Sequence, residues 1–236
     1  MGLTPEEQEV LLLSLRVAFW SVAATLPFAV AAAYLLARGD FPGKTLFDAF
    51  VHLPLVLPPV VVGYFLLLLF GKRGPVGSLL DEWLGVTLVF RWTGAALAAA
   101  VMGFPLMVRA IRLSFETIDR RLEAAASTLG AGRLGVFVTV TLPLALPGVL
   151  TGMLLSFARG LGEFGATITF VSNIPGETRT LPLAIYTYTQ VPAGDGPALR
   201  LSLIAVALSL AALFVSEVMV RRATRRIMGD DADRRY

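Results

Sequence analysis

The chain has 236 residues, 56% hydrophobic and 16% charged, with a mean hydropathy of +0.74 and a formal net charge of +3. Soluble domains run about 45–50% apolar and about 25% charged, so this composition excludes an ordinary soluble fold. With no cysteine and one histidine, His52, disulfide frameworks and thiolate chemistry are excluded, and neither a metal centre nor a His-based catalytic set is expected.

A membrane-crossing helix needs about 20 mostly apolar residues. Five blocks qualify, at about 11–37, 52–70, 93–110, 143–171 and 199–220. The fold class expected is therefore all-α: a polytopic membrane bundle of five transmembrane helices, one domain over 1–236, with a cytoplasmic helical segment at 115–142. The N-terminus is acidic, unlike a secretory signal, so the first block reads as a retained span. Arg16 lies near its start, where it can snorkel.

Lys and Arg crowd the segments on one side of these spans. Thirteen fall in the 38–48 loop, the 109–133 segment and the C-terminal tail, against five in the alternate loops. The positive-inside bias places the C-terminus in the cytoplasm and, with five spans, the N-terminus outside. The basic residues are thus placed by topology, and no nucleic-acid partner is expected. The tail from Met228 is polar and expected to be disordered.

The second block holds Pro54, Pro58 and Pro59, which free backbone carbonyls and kink a helix. Such backbone suits a pathway lining or a packed kink equally. In the segment between spans three and four, Phe115, Ile118, Leu122, Ala125 and Leu129 recur at helical spacing, giving one apolar face. Gly130 and Gly132 end that helix. A second short helix over 133–140 is expected to stop at Leu142 and Pro143, where the next span opens. An amphipathic helix here can rest on the lipid interface or dock a partner.

Arg159 and Glu163 lie far along the fourth block, with Gly160, Gly162 and Gly165 interleaved. Ionisable groups in a span are costly and face protein or water. A gate or pathway element, a buried ion pair fixing the bundle, and simple water exposure are all open for these two. The glycines permit a helix break or a close helix approach. Asn173, Thr178, Arg179 and Thr180 follow on the outer side, where they can meet a delivery protein or be solvated. No phosphate-binding loop of the G-x-x-x-x-G-K-[ST] type occurs. The chain is expected to bind no cofactor and to have no catalytic residues.

The stretch 123–143, EAAASTLGAGRLGVFVTVTLP, resembles the EAA loop of ABC-transporter permease subunits. Gly130, Val140, Leu142 and Pro143 fall at that pattern's offsets. Its triplet falls on Ala124, Ala125 and Ala126, with Glu123 one place early. Longer strings extend the likeness: FPGK at 41–44, HLPLVLPPVVVGY at 52–64, FPLMVRAIR at 104–112 and FARGLGEFGATITFVSNIPGETRT at 157–180. By these the chain is similar to the molybdate-transporter permease family. The resemblance implies that Glu123, Ala124, Ala125, Ala126, Gly130, Ala131, Gly132, Leu142 and Pro143 form a coupling element seated on a cytoplasmic ATPase. It implies a homodimer in the bacterial inner membrane, amid lipid, with its pathway on the twofold axis. Two ATPase subunits would use the ATP, and an extracytoplasmic binding protein would deliver molybdate. Pathway or gate residues would include Arg159, Glu163, Pro58 and Pro59. Tungstate, sulfate or thiosulfate as cargo, and a non-transporting scaffold that docks an ATPase, stand as alternatives.

Overall fold

The computed structural model describes residues 3–228. Residues 229–236, which carry nearly all of the expected disordered tail, lie outside them. The described residues form helices α1 (Pro5–Arg38), α2 (Lys44–Val56), α3 (Pro59–Phe70), α4 (Pro75–Leu84), α5 (Trp92–Thr117), α6 (Arg120–Thr128), α7 (Arg133–Val136), α8 (Leu142–Leu161), α9 (Gly165–Val171), α10 (Leu181–Thr189) and α11 (Asp195–Met228). A π turn, Phe137–Thr141, joins α7 to α8. Among the described residues four helices are long and apolar enough to cross a membrane, and α2 with α3 makes up to a fifth if the bent pair is one span.

The α1 helix begins at a capping box. The Thr4 hydroxyl accepts from the Glu7 N–H, and the Glu7 carboxylate accepts from the Thr4 N–H at 2.8 Å. Its 34 residues span about 51 Å, well beyond the ~30 Å hydrocarbon layer. The core is α5, clasped between α1 and α8. Ala95, Ala98, Ala99, Met107, Val108, Ile111 and Phe115 are fully buried. Close approach comes from small residues on α8: Gly148, Gly152, Ser156 and Gly160 recur every fourth position, one stripe down the helix. A Cβ at Gly152 would sit 2.9 Å from the Met107 carbonyl oxygen, and one at Gly148 would overlap Ser114. Dispersion and interhelical fit replace the hydrophobic drive that lipid cannot supply.

Two expected spans differ in form. The block at 52–70 is two helices, bent by 113°. Pro58 and Pro59 explain it: each proline forces the residue before it out of helical geometry. Leu57 (φ −71°, ψ 142°) and Pro58 (φ −55°, ψ 134°) are both extended. Pro54, by contrast, sits inside α2. The block at 143–171 is likewise interrupted. Its helix starts earlier, continuous over Arg133–Leu161, breaks across 162–164 and resumes as α9.

The two breaks meet. A Cβ at Gly165 would lie 2.9 Å from Pro59 Cβ, and one at Gly63 would lie 2.5 Å from the Ala166 carbonyl oxygen. Glycine at these positions lets α3 and α9 lie backbone to backbone. Helices α4 and α10 were not legible in the sequence; they fold the 71–92 and 172–197 loops back on the bundle.

Candidate functional site

The 115–142 segment, which carries the EAA-like pattern, stands at one end of the bundle. The apolar face expected from Phe115 to Leu129 is not one helix: α5 ends at Thr117 and α6 starts after Asp119. The Asp119 carboxylate accepts from the Arg121 N–H at 2.9 Å, a local cap that competes with continued helix. Phe115 and Ile118 therefore belong to the core, at 0% and 9% exposure, while Leu129 is 89% exposed. Ala124 and Ala125 are exposed and Ala126 is half-buried. No residue of α6 is buried. Its end is a Schellman turn: Ala131 N–H reaches the Ala126 carbonyl and Gly130 N–H the Ser127 carbonyl, with Gly130 left-handed at φ +90°. This is the geometry that demands glycine. Gly132 (φ −68°) is ordinary extended backbone with open space around it.

The expected stop at Leu142 and Pro143 is absent. Pro143 lacks an N–H and its ring crowds the preceding turn. The π turn at Phe137–Thr141 widens the helix just before it, and the helix runs on. Ala131 is half-buried, Leu142 half-buried and Pro143 exposed.

Glu123 is the joint that sequence reasoning did not see. Its Oε1 accepts from the Thr141 hydroxyl at 2.8 Å and from Arg38 Nη2 at 3.3 Å. Arg38 Nη2 also donates to the Ile118 carbonyl at 3.0 Å. One carboxylate thus ties α6 to the end of α1, to the α5–α6 corner and to the π turn. Beneath it Tyr34 meets Phe115 and Phe137 edge to face, with centroids 5.6 and 5.0 Å apart, and the two phenylalanine rings lie tilted at 6.3 Å. Helix α6 is tied down on one side while its outer face stays bare. The only sequence signal was an acid one place off the pattern, matched by an arginine 85 positions earlier.

At the second break, Arg159 Nη1 lies 2.5 Å from Glu163 Oε2. Glu163 is 2% exposed, and its Oε1 accepts from the Ala166 N–H at 2.8 Å. Glu163 therefore caps α9 while pairing with the last turn of α8, so the pair spans the break rather than supporting one helix. Beside it lies a cavity of about 480 Å³, lined by Ala158, Gly162, Phe164, Leu181, Tyr186 and Ser209 among others. Pro59 packs against Gly165, so the structure brings Pro58, Pro59, Arg159 and Glu163 into one neighbourhood.

The end opposite α6 carries ion pairs that the sequence did not reveal. Arg200 clasps the buried Glu7 through Nε at 2.7 Å and Nη2 at 2.6 Å. Arg179 reaches Glu6 at 2.9 Å and Asn173 at 3.1 Å. Ser14 accepts from the Leu181 N–H at 2.7 Å. Burial and the neighbouring Glu6 hold the Tyr188 hydroxyl above the usual tyrosine range. Asn173 and Arg179 thus serve α1 and α10 docking, Asn173 donating to Thr187 at 2.8 Å. Thr178 is buried and donates to the Ser172 carbonyl at 3.1 Å, and Thr180 is 5% exposed. Among the described residues no group of His, Cys, Asp and Glu is placed to hold a metal.

Apolar spans and two facing helix breaks make a multi-pass membrane bundle. The chain belongs to the family described as binding-protein-dependent transport system inner membrane component, whose model matches residues 25–226. It is 58% identical to the molybdenum transport system permease protein ModB of Escherichia coli K12 over 226 residues, 96% of this chain and 99% of that one. It is 54% identical to the Haemophilus influenzae protein of the same name over 94% of this chain and 97% of the other. A sulfate transport system permease protein, CysW, of Synechocystis is 37% identical over 91% and 77%. Among solved structures, the MetNI methionine ABC transporter in an inward-facing form has a TM-score of 0.69 at 17% identity, covering 93% of this chain and 94% of that one. A bacterial alginate ABC transporter reaches 0.70 at 16%, covering 96% and 81%. The fold is that of ABC importer permeases.

Proposed function

We infer that this chain is the membrane permease subunit of an ATP-driven importer that carries molybdate across the bacterial cytoplasmic membrane. The observation that carries this reading is the 58% identity, over nearly the whole of both chains, to a molybdenum transport permease. The sulfate relative is more distant, at 37%. Two copies pair around a twofold axis. An ATPase dimer sits on the exposed faces of α6, and Glu123, Ala124, Ala125, Ala126, Gly130, Ala131, Gly132, Leu142 and Pro143 carry its motion into α1, α5 and α8. A binding protein delivers the oxyanion at the opposite end. ATP binding and release shift the permease between inward- and outward-open populations through the ATPase's different fit to each. The ATP is bound and hydrolysed by the partner. The coupling end faces the cytoplasm and the N-terminus lies outside, as the Lys/Arg bias supports. The paired breaks around Pro58, Pro59, Arg159 and Glu163 form the gate, and Arg159, 27% exposed, meets the anion there.

The test is uptake by proteoliposomes holding this chain with its ATPase and binding protein. ATP-dependent molybdate accumulation, abolished by Gly130→Glu and resisting competition by excess sulfate, supports the reading. Sulfate, tungstate or thiosulfate moved in preference would replace the cargo. ATPase binding with no solute moved would replace transport by a scaffold role.

A further inference from the structure

Helix α1 carries a guanidinium that the transport reading does not use. Arg16 is exposed. Its guanidinium carbon lies 3.8 Å from the centroid of the Trp92 ring. No carboxylate pairs with it among the described residues. Beside it runs an apolar groove of about 500 Å³ between α1 and α5, floored by Ala96 and Ala100 and walled by Trp20, Phe28 and Phe70. Thr93 lines the same groove, and its buried hydroxyl has no hydrogen-bond partner. Trp20 and Phe28 are 51% and 68% exposed and two turns apart, so the groove runs about 12 Å along α1.

Depth along α1 says what covers it. Arg16 and Arg38 are 22 residues apart on one helix, or about 33 Å, close to one hydrocarbon thickness of about 30 Å. With Arg38 at the coupling face, Arg16 stands at headgroup level on the opposite face. Trp20 and Trp92 lie beside it, as interfacial aromatics do. Below that level the groove faces acyl chains. A second copy of the chain would have to bring a carboxylate to Arg16. The acids of its own helix, Glu6, Glu7 and Glu9, lie about 10 Å or more further out, in water.

We propose that this groove binds one anionic phospholipid: the phosphate sits against the Arg16 guanidinium, and one acyl chain lies along Trp20, Ala24 and Phe28. The stacking on Trp92 fixes the guanidinium without neutralising it. A net cation then remains for the lipid's charge. The occupied groove braces α1 against α5, the two helices that carry the Glu123 joint at their other ends.

The test is native mass spectrometry of the full-length oligomer, stripped of lipid and titrated with phosphatidylglycerol or phosphatidylcholine. Phosphatidylglycerol should bind once per protomer and more tightly than phosphatidylcholine. Arg16→Gln should weaken it about tenfold, the loss expected for one charge-assisted hydrogen bond. Ala24→Trp, which fills the groove and leaves the cation in place, should also abolish it; an unchanged melting temperature in either variant establishes that the fold survives. Equal retention by wild type and both variants would overturn the proposal, as would displacement of the lipid by excess inorganic phosphate. So would a disulfide between protomers in Ala24→Cys, which would give the groove to a second copy of the chain.

Discussion

Removing the Glu123 carboxylate should uncouple ATP hydrolysis from transport while leaving the spans folded. In Glu123→Ala the Thr141 hydroxyl, 1% exposed, loses its acceptor, which costs about 1–3 kcal/mol for a buried donor. Arg38, whose side chain is 10% exposed, keeps only the Ile118 carbonyl, and its Nε is already unpartnered. Breaking a fully buried ion pair costs about 3–5 kcal/mol. Glu123 is 19% exposed, so water offsets part of that, and the joint should weaken by roughly 2–4 kcal/mol. A nine-residue helix is too short to persist alone, so α6 should detach about 30- to 1,000-fold more often. Hydrogen exchange over 120–128 should accelerate by that factor, and molybdate moved per ATP hydrolysed should fall. Glu123→Gln keeps an acceptor oxygen for both partners and should lose only about 1 kcal/mol. Unchanged exchange and unchanged coupling in Glu123→Ala would refute this account of the joint.

Three further outcomes follow from the packing. Gly130→Ala must hold a left-handed conformation and should cost about 1–2 kcal/mol of local stability, whereas Gly132→Ala should be neutral; the extent of hydrogen exchange at α6 separates them. Gly152→Val has no room against Met107 and Ile111 and should lower stability by about 1–3 kcal/mol, read as a drop in melting temperature in detergent. Arg159→Ala leaves the buried Glu163 carboxylate without its cation and should abolish uptake while ATPase binding persists; full uptake would remove Arg159 from the pathway.

Most of the bundle was legible because its signals are local. Long apolar runs gave the spans, and the Gly130 offset gave the end of α6. Pro58 and Pro59 announced a kink, although not a bend that splits the span. What stayed hidden depends on residues far apart in the chain. Glu123 finds Arg38, Glu7 finds Arg200, and Glu163 turns from a helix-pair partner into a cap only because the chain breaks at Gly162. The apolar periodicity through Phe115 to Leu129 misled because it runs unbroken across a corner set by the Asp119 cap. The Leu142 and Pro143 stop failed because a π turn accommodates a proline without ending the helix, and nothing in the residue types announces one. The four-residue stripe of Gly148, Gly152, Ser156 and Gly160 was in plain view. It became meaningful only with α5 against it.

The docking assignment of α6 can be tested directly, because a chain without cysteine accepts a single engineered thiol. Leu129→Cys should be labelled by a membrane-impermeant maleimide in inside-out vesicles and not in intact cells. In the assembled complex it should be shielded from the reagent and cross-link to the ATPase subunit. Labelling from the cell exterior, or equal reactivity with and without the ATPase, would contradict the account.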